Sequence, residues 1–267
     1  MKILSIGDIH GRDAWKFHTH GSPYEYNTWR TACDHGAEAI SDLWKEMPYM
    51  NYDLIIFIGD YVDSFTVKNP EMKLNLEDII DFKKKMGDRV ILLLGNHDIQ
   101  YIVSNQICSG YRPEMKHDFY KIFVDELDQF TMAHQIGNYL WTHAGVTEGW
   151  LKELRKDLYN PSYRFFDIVK ERNPATVADE INLAWELRLD TLYNVDSASG
   201  GYSSWAGPLW VRPHVLNRNP LPFITQIVGH TPQATVWSHE VNEHVTHHFI
   251  DCIEHGDQQS LELELSI

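Results

Sequence analysis

The sequence predicts an α/β fold whose reactive groups gather at the carboxyl ends of its strands. Three observations predict it. Short apolar runs alternate with stretches of helical spacing. Five of those runs end beside a glycine and a group of Asp, Asn or His. The tail alternates apolar and polar residues with period 2, which adds a half-buried antiparallel strand. Crossover helices between apolar strands favour a parallel sheet covered on both faces. Sites in such sheets lie beyond the carboxyl ends of the strands.

The elements follow in order. Lys2-Ile3-Leu4-Ser5-Ile6 is a strand ending in Gly7-Asp8-Ile9-His10-Gly11. A polar, aromatic loop is expected through Tyr26. Residues 29–47 show Trp29, Ala32, Cys33, Ala37, Ile40, Leu43 and Trp44 at helical spacing, and Pro48 stops them. Residues 53–58 are a second strand, ending in Gly59-Asp60-Tyr61-Val62-Asp63. Asn75 reads as an N-cap with Asp78 three residues on, and Gly87 as the stop of that helix. Residues 90–94 are a third strand, ending in Gly95-Asn96-His97-Asp98.

Residues 113–130 are expected to be helical, with Pro at the start. Residues 138–142 form a strand that delivers His143-Ala144-Gly145. Residues 149–158 and 176–193 read as amphipathic helices, and 194–208 as a Gly/Ser/Trp-rich loop. Residues 223–228 form a strand ending in Gly229-His230-Thr231-Pro232. Residues 245–250 are expected to pair near the tail strand, 260–266. There is no repeat, low-complexity tract or linker, so one domain is expected.

The totals limit the function. The chain has 267 residues, 43% hydrophobic, with a net charge of −15. This acidity disfavours stable nucleic-acid binding, which needs clustered Lys and Arg, and association with anionic membranes. Phosphate substrates stay accessible if metal ions supply local positive charge. The three cysteines, Cys33, Cys108 and Cys252, lie far apart. They read as small buried hydrophobes in a reducing compartment. There is no signal-like segment and no apolar run of membrane-spanning length, so a cytoplasmic protein is expected.

Asp8 and His10, Asp60 and Asp63, Asn96 and His97, His143, and His230 therefore converge from five strand ends. Glycine beside each lets the backbone turn sharply and approach closely. Carboxylate, imidazole and amide together suit divalent first-row metals, and the lack of thiolates argues against a structural zinc site. Two metals about 3.5–4 Å apart can clamp phosphoryl oxygens and activate a shared water.

These ordered segments resemble the motifs of calcineurin-like metallophosphoesterases. Within them, the chain is most similar to the phosphoprotein-phosphatase branch, with its bacterial and phage members and the symmetrical diadenosine-tetraphosphate hydrolases. The resemblance implies a metallophosphoesterase-type β-sandwich of mixed sheets flanked by helices, spanning residues 1–267 as one domain. It implies a first metal held by Asp8, His10 and Asp60, and a second held by Asp60, Asn96, His143 and His230. The metals would be manganese, with iron, zinc or nickel as alternatives. A metal-bridging water or hydroxide would attack phosphorus, His97 would protonate the leaving oxygen, and Asp63 would orient His97.

Expected substrates are phosphomonoesters on a phosphorylated small molecule, nucleotide or phosphoprotein, phosphoserine and phosphothreonine among them. Phosphoanhydride cleavage in dinucleoside polyphosphates and phosphodiester cleavage in nucleotides or RNA are the alternatives. A non-catalytic scaffold on the same fold is the remaining one. Three departures stand out. Ser64 and Phe65 stand where Arg-Gly usually follows Val-Asp in the branch, Asp98 stands where Glu usually follows Asn-His there, and Pro232 stands where the wider superfamily often has a second His, as it does in the diadenosine-tetraphosphate hydrolases. Arg212 is the candidate for the missing phosphate grip, with Arg12 a second substrate-binding candidate. Tyr202 and Trp205 could form an aromatic lip, and Asp251 could support the metal ligands. His244, His247 and His248 are expected on strand faces.

Overall fold

The computed structural model describes residues 1–34, 47–103, 107–195, 200–253 and 260–266. Its strands and α-helices run β1 (Lys2–Ile6), α1 (Trp15–His20), α2 (Pro23–Asp34), β2 (Leu54–Phe57), α3 (Asn69–Met86), β3 (Val90–Leu93), α4 (Asn96–Ile102) and α5 (Lys116–Asp125). They continue with β4 (Phe130–Thr131), β5 (Ala133–Ile136), β6 (Tyr139–Thr142), α6 (Glu148–Leu158), α7 (Phe166–Arg172), α8 (Val177–Glu186), α9 (Pro213–Arg218), β7 (Thr225–Val228), β8 (Trp237–Asn242), β9 (Val245–Phe249) and β10 (Leu261–Glu264).

Among the described residues, ten strands form two five-stranded sheets, ordered β10-β1-β2-β3-β4 and β5-β6-β7-β9-β8. In the first, β1 to β4 are parallel and β10 is antiparallel to β1. In the second, β6, β7 and β9 are parallel, with β5 and β8 antiparallel at the edges. This is the expected α/β sandwich of mixed sheets flanked by helices.

Period-2 alternation decides which side chains face which layer. Ile3, Leu54, Ile56, Ile58 and Leu93 of the first sheet meet Trp141, Ile227 and Ile250 of the second. Their neighbours Leu4, Ile6, Ile55, Phe57 and Leu92 face the helices on the other side. Trp141 is fully buried between the sheets, and its indole N–H donates to Ser5 Oγ at 3.0 Å. That bond satisfies a polar tip that burial would otherwise leave costly.

Several expected boundaries change. The loop expected through Tyr26 contains α1 and the start of α2. Ser22 opens α2 as a capping residue: its Oγ accepts from Glu25 N at 3.2 Å and donates to the Glu25 carboxylate, and Pro23 follows. Of the helix expected over 29–47, residues 35–46 lie outside the described residues. Asn75 is not an N-cap, because α3 starts six residues earlier at Asn69-Pro70. It sits buried in mid-helix, where its Oδ1 accepts from Trp15 Nε1 at 2.8 Å, while Asp78 accepts from Lys16 Nζ at 2.6 Å and from Arg30. Both polar residues therefore join helices.

The helix expected over 113–130 is α5 between two short 3-10 turns, and Phe130 enters β4. The helix expected over 176–193 breaks after Glu186; Arg188 has φ 56° and a 3-10 turn follows at Asp190–Tyr193. The strand over 245–249 pairs with β7 and β8, not with the tail, which lies in the other sheet against β1. Among the described residues, no helix is long and apolar enough to cross a membrane.

Candidate metal centre

The parallel strands β1, β2, β3, β6 and β7 end at one edge of the sandwich. Each delivers its polar group within a few residues of its last paired position. Asp8, Asp60, Asp63, Asn96, His143 and His230 are buried there, and His10 and His97 are partly exposed. Among the described residues, seven non-glycine residues have positive φ, and four of them are His10, Asp60, Asp63 and His230. Such backbone costs about 1–3 kcal/mol each and persists where surrounding structure holds it. It turns these side chains inward immediately after their strands.

Two glycines permit the close approach. A Cβ on Gly95 would lie 2.1 Å from Asp60 Oδ1, and one on Gly229 would lie 1.9 Å from Asp8 Oδ1. The carboxylates are then tied down by backbone N–H groups. His230 N donates to Asp8 Oδ2 at 2.9 Å, and His97 N donates to Asp60 Oδ1 at 2.9 Å.

Backbone carbonyls set the imidazole tautomers. His143 Nδ1 lies 3.1 Å from Ile58 O, and His10 Nδ1 lies 3.1 Å from Val62 O. A carbonyl only accepts, so these nitrogens carry the protons and each Nε2 turns a lone pair inward. His143 Nε2 then meets Asn96 Oδ1 at 2.8 Å and Asp60 Oδ2 at 3.4 Å. His230 Nδ1 meets the same Asn96 oxygen at 2.9 Å. With its Nδ1 proton on Ile58 O, neutral His143 sets an Nε2 lone pair against the Asn96 oxygen, a contact that a bound cation would relieve.

The electrostatics agree. Burial, then the Asp251 and Asp60 carboxylates, push the Asp8 carboxyl well above its usual range. Burial, then His143 and Arg212, push His230 well below the usual imidazole value, which leaves it neutral and able to ligate. Burial would also raise Asp60, but the His143, His97 and His10 rings outweigh it and hold its carboxyl low. Asp8 Oδ1 and His230 Nε2 are buried without a hydrogen-bond partner among the described residues. Such orphaned atoms call for a ligand.

Two sets of donors satisfy this need. Asp60, His143 and His230 each offer a ligand atom within 4.8 Å of one another, and Asp8, His10 and Asp60 do the same. Asp60 belongs to both. The donor set therefore fits divalent metal ions at two adjoining positions that share a carboxylate.

Beside these groups, His97 Nδ1 lies 3.2 Å from Asp63 Oδ2. Burial works against the charged imidazole, but Asp60 and then Asp63 overcome it and push His97 up to about 9. His97 also packs edge-on against His10, with ring centroids 5.1 Å apart.

The remaining expected residues divide. Arg212 Nη1 donates to Thr231 Oγ1 at 3.3 Å and its Nε to Gly200 O at 2.8 Å, which places the guanidinium next to the His230 strand end. Arg12 braces two strand-end loops, with Nη2 on Thr66 Oγ1 at 2.9 Å and Nη1 on His10 O at 3.3 Å. Ser64, at the departed Arg position, caps a turn, where its Oγ accepts from Thr66 N and Val67 N. Tyr202 lies beside Arg212, with the guanidinium carbon 6.0 Å from its ring centre, and Trp205 is exposed. His247 and His248 lie on β9 as expected; His244 is in the exposed turn before it.

Sequence reasoning read Asp98 only as a departure. Its carboxylate accepts from the N–H groups of Gly95, Asp60 and Tyr61, each at 2.8 Å, and so ties the end of β3 to the end of β2. Its place three residues after Gly95, at the start of a helix, is a capping pattern that could have revealed it. Gln100, Tyr101 and Cys108 were also missed, and no local pattern marks them.

A family model described as calcineurin-like phosphoesterase matches residues 1–234. No curated protein matches the chain. Among solved structures, the chain is similar to a cold-active protein-tyrosine phosphatase of the psychrophile Shewanella sp., at 15% identity and a TM-score of 0.47, over 94% of this chain and 71% of that one. It is also similar to a Saccharomyces cerevisiae protein serine/threonine phosphatase described as resembling human phosphatase PP5, at 16% identity and a TM-score of 0.43, over 93% and 67%. With the family match over most of its length and donors for adjoining metals at its strand ends, the chain belongs to the calcineurin-like phosphoesterase family and is a metal-dependent phosphoesterase.

Proposed function

We propose that the protein hydrolyses phosphomonoesters at a dinuclear centre, with phosphoserine or phosphothreonine in proteins as the leading substrate class. One observation carries this reading: two groups able to hold a metal share Asp60, and the His97–Asp63 pair stands beside them. Asp8, His10 and Asp60 would hold one ion, and Asp60, Asn96, His143 and His230 the other. Bound metals supply Lewis-acid stabilisation of the phosphoryl oxygens and an activated water. Manganese is the proposed ion, since the donors are oxygen and imidazole with no thiolate.

His97 is the proposed general acid. The contact to Asp63 orients its ring and favours the protonated imidazole, which can give its proton to the leaving oxygen. Arg212 is the proposed phosphate grip and Arg12 a lesser one. The position of Arg212 beside Thr231 and His230 supports its role, while both guanidinium contacts of Arg12 described above serve loop bracing. The shared apolar layer between the sheets supports reading residues 1–267 as one domain. The few, scattered cysteines support a cytoplasmic setting.

A second reading is phosphoanhydride cleavage in a dinucleoside polyphosphate. Ser64 favours it, because this residue caps a turn where the protein-phosphatase branch grips phosphate. A metal-reconstituted panel of phenyl phosphate, a phosphopeptide, a dinucleoside tetraphosphate and a phosphodiester separates the two. The expected result is fastest turnover of phosphomonoesters with manganese. Fastest turnover of the tetraphosphate would transfer the assignment to the second reading. His97→Asn should keep both metals and lose about 10²–10⁴-fold in kcat.

A further inference from the structure

The pair formed by His97 and Asp63 is held by two further side chains, both on α4 and both buried. Tyr101 donates its hydroxyl proton to Asp63 Oδ1, and Gln100 donates from Nε2 to Asp63 Oδ2, the oxygen that also faces His97. The direction of each bond is fixed from outside. Arg112 N donates to Tyr101 Oη at 3.0 Å, so the hydroxyl proton is left for Asp63. Cys108 N donates to Gln100 Oε1 at 2.8 Å, so the amide must turn its NH2 toward Asp63. Backbone N–H groups only donate, which removes any ambiguity of hydroxyl rotor or amide flip.

The backbone of Cys108 and Arg112 therefore sets the polarity of both arms. Each arm runs from a backbone N–H, through a side chain, to the Asp63 carboxylate. Asp63 Oδ1 carries one donor and Oδ2 carries two. Rotating the carboxylate away from His97 would break these bonds together. Asp63 also has positive φ, at 66°, so its backbone alone does not favour the position it holds. Burial, then the Asp63 charge, push the Tyr101 phenol up, so it stays a proton donor at working pH.

We propose that Tyr101 and Gln100 are positioning residues for the proton-donating side of the reaction: they lock the Asp63 carboxylate against His97, and the Cys108 and Arg112 backbone amides enforce that lock. This rests on the reading of His97 as general acid. The proton transferred is the one His97 holds on its ring; Tyr101 and Gln100 transfer none. The contribution of the two residues should thus appear only where the leaving group needs a proton.

The test uses metal-loaded enzyme with two aryl phosphates. Dinitrophenyl phosphate releases a stable phenolate without protonation, whereas phenyl phosphate needs the acid. Tyr101→Phe and Gln100→Met should each lose about 10-fold in kcat on phenyl phosphate, the order seen when residues supporting a site are removed. They should change by less than about twofold on dinitrophenyl phosphate. In a His97→Asn background, Tyr101→Phe should add less than about twofold on either substrate, since coupled residues are not additive. In metal-free protein, the imidazole N–H proton resonance that disappears in His97→Asn should shift in both variants.

Equal losses on the two substrates, or no loss in both variants, would overturn the proposal. So would an unmoved His97 resonance in both. If one variant fails to fold, the other decides by the same ratio. If His97→Asn itself shows no selective loss on phenyl phosphate, the assignment of the acid falls, and this inference falls with it. A selective loss in His97→Asn with unaltered Tyr101 and Gln100 variants would overturn the positioning role alone.

Discussion

Gly229 shows how little space the site leaves at single residues. Its hydrogen faces Asp8, and a methyl group there would sit 1.9 Å from Oδ1 and 3.0 Å from Cγ. Gly229→Ala must displace the carboxylate or the strand end. It should weaken metal binding by the group containing Asp8 by about 10–100-fold, with the other group less affected. Calorimetric titration with manganese measures this; unchanged affinity for both ions would remove Asp8 from the centre. Glycine beside every polar strand end was legible in the sequence, and so was the need for close approach. The contact it allows was not, because Asp8 and Gly229 meet only after strands far apart in the chain come together. Gln100 and Tyr101 were illegible for a related reason. Their role exists only once residues 107–112 fold back over α4.

At the scale of elements, Asp98 does the joining. The start of α4 and the ends of β2 and β3 meet on its carboxylate, with three N–H donors. Asp98→Asn would turn an NH2 toward one or more of those donors and leave them unsatisfied. We expect a loss of about 1–3 kcal/mol in unfolding free energy. A weaker hold on Asp60, whose own N–H is one of the three, should lower metal affinity as well. Urea titration of metal-free protein tests the first; an unaltered midpoint would show that the staple contributes nothing.

Apolar strands and their polar ends could be read from sequence because both signals are local. The first helix could not, since α1 buries Lys16, Thr19 and His20 as well as Trp15. Polar residues that bury through partners on other elements look like loop. Asn75 and Asp78 misled in the same way, their spacing imitating a cap while they bonded to Trp15, Lys16 and Arg30.

For the whole molecule, the aromatic layer behind the first sheet predicts sensitivity to acid. His20 is buried among Trp15, Tyr26, Trp29, Tyr49 and Phe82, with ring centroids 4.8–6.3 Å away. Burial, then the nearby Lys16 charge, lower its pKa to about 3. In the unfolded chain it titrates near 6.5, the ordinary imidazole value. Below that pH the unfolded state binds a proton that the folded state refuses, so stability falls from about pH 6.5 toward about pH 3, by at most about 1.4 kcal/mol per pH unit. His247, lowered to about 4 by burial and then by His239, adds a similar slope over a narrower window. Thermal melts from pH 7 to 5, with chelator present throughout, should show a falling Tm. His20→Phe should flatten that fall; an unchanged slope would mean that His20 does not govern it.

The 222-residue separation between Asp8 and the backbone amide that holds it has a consequence for the order of assembly. A chain emerging from the ribosome can pair β1 with β2 and β2 with β3 early, and present Asp8, His10 and Asp60 before β7 exists. The complete centre has to wait for β7, which brings both His230 and the N–H that anchors Asp8. On the proposed ligand assignment, full metal capture is thus a late event in biogenesis. It reports that the second sheet has docked, and catalytic competence is withheld from a half-made molecule.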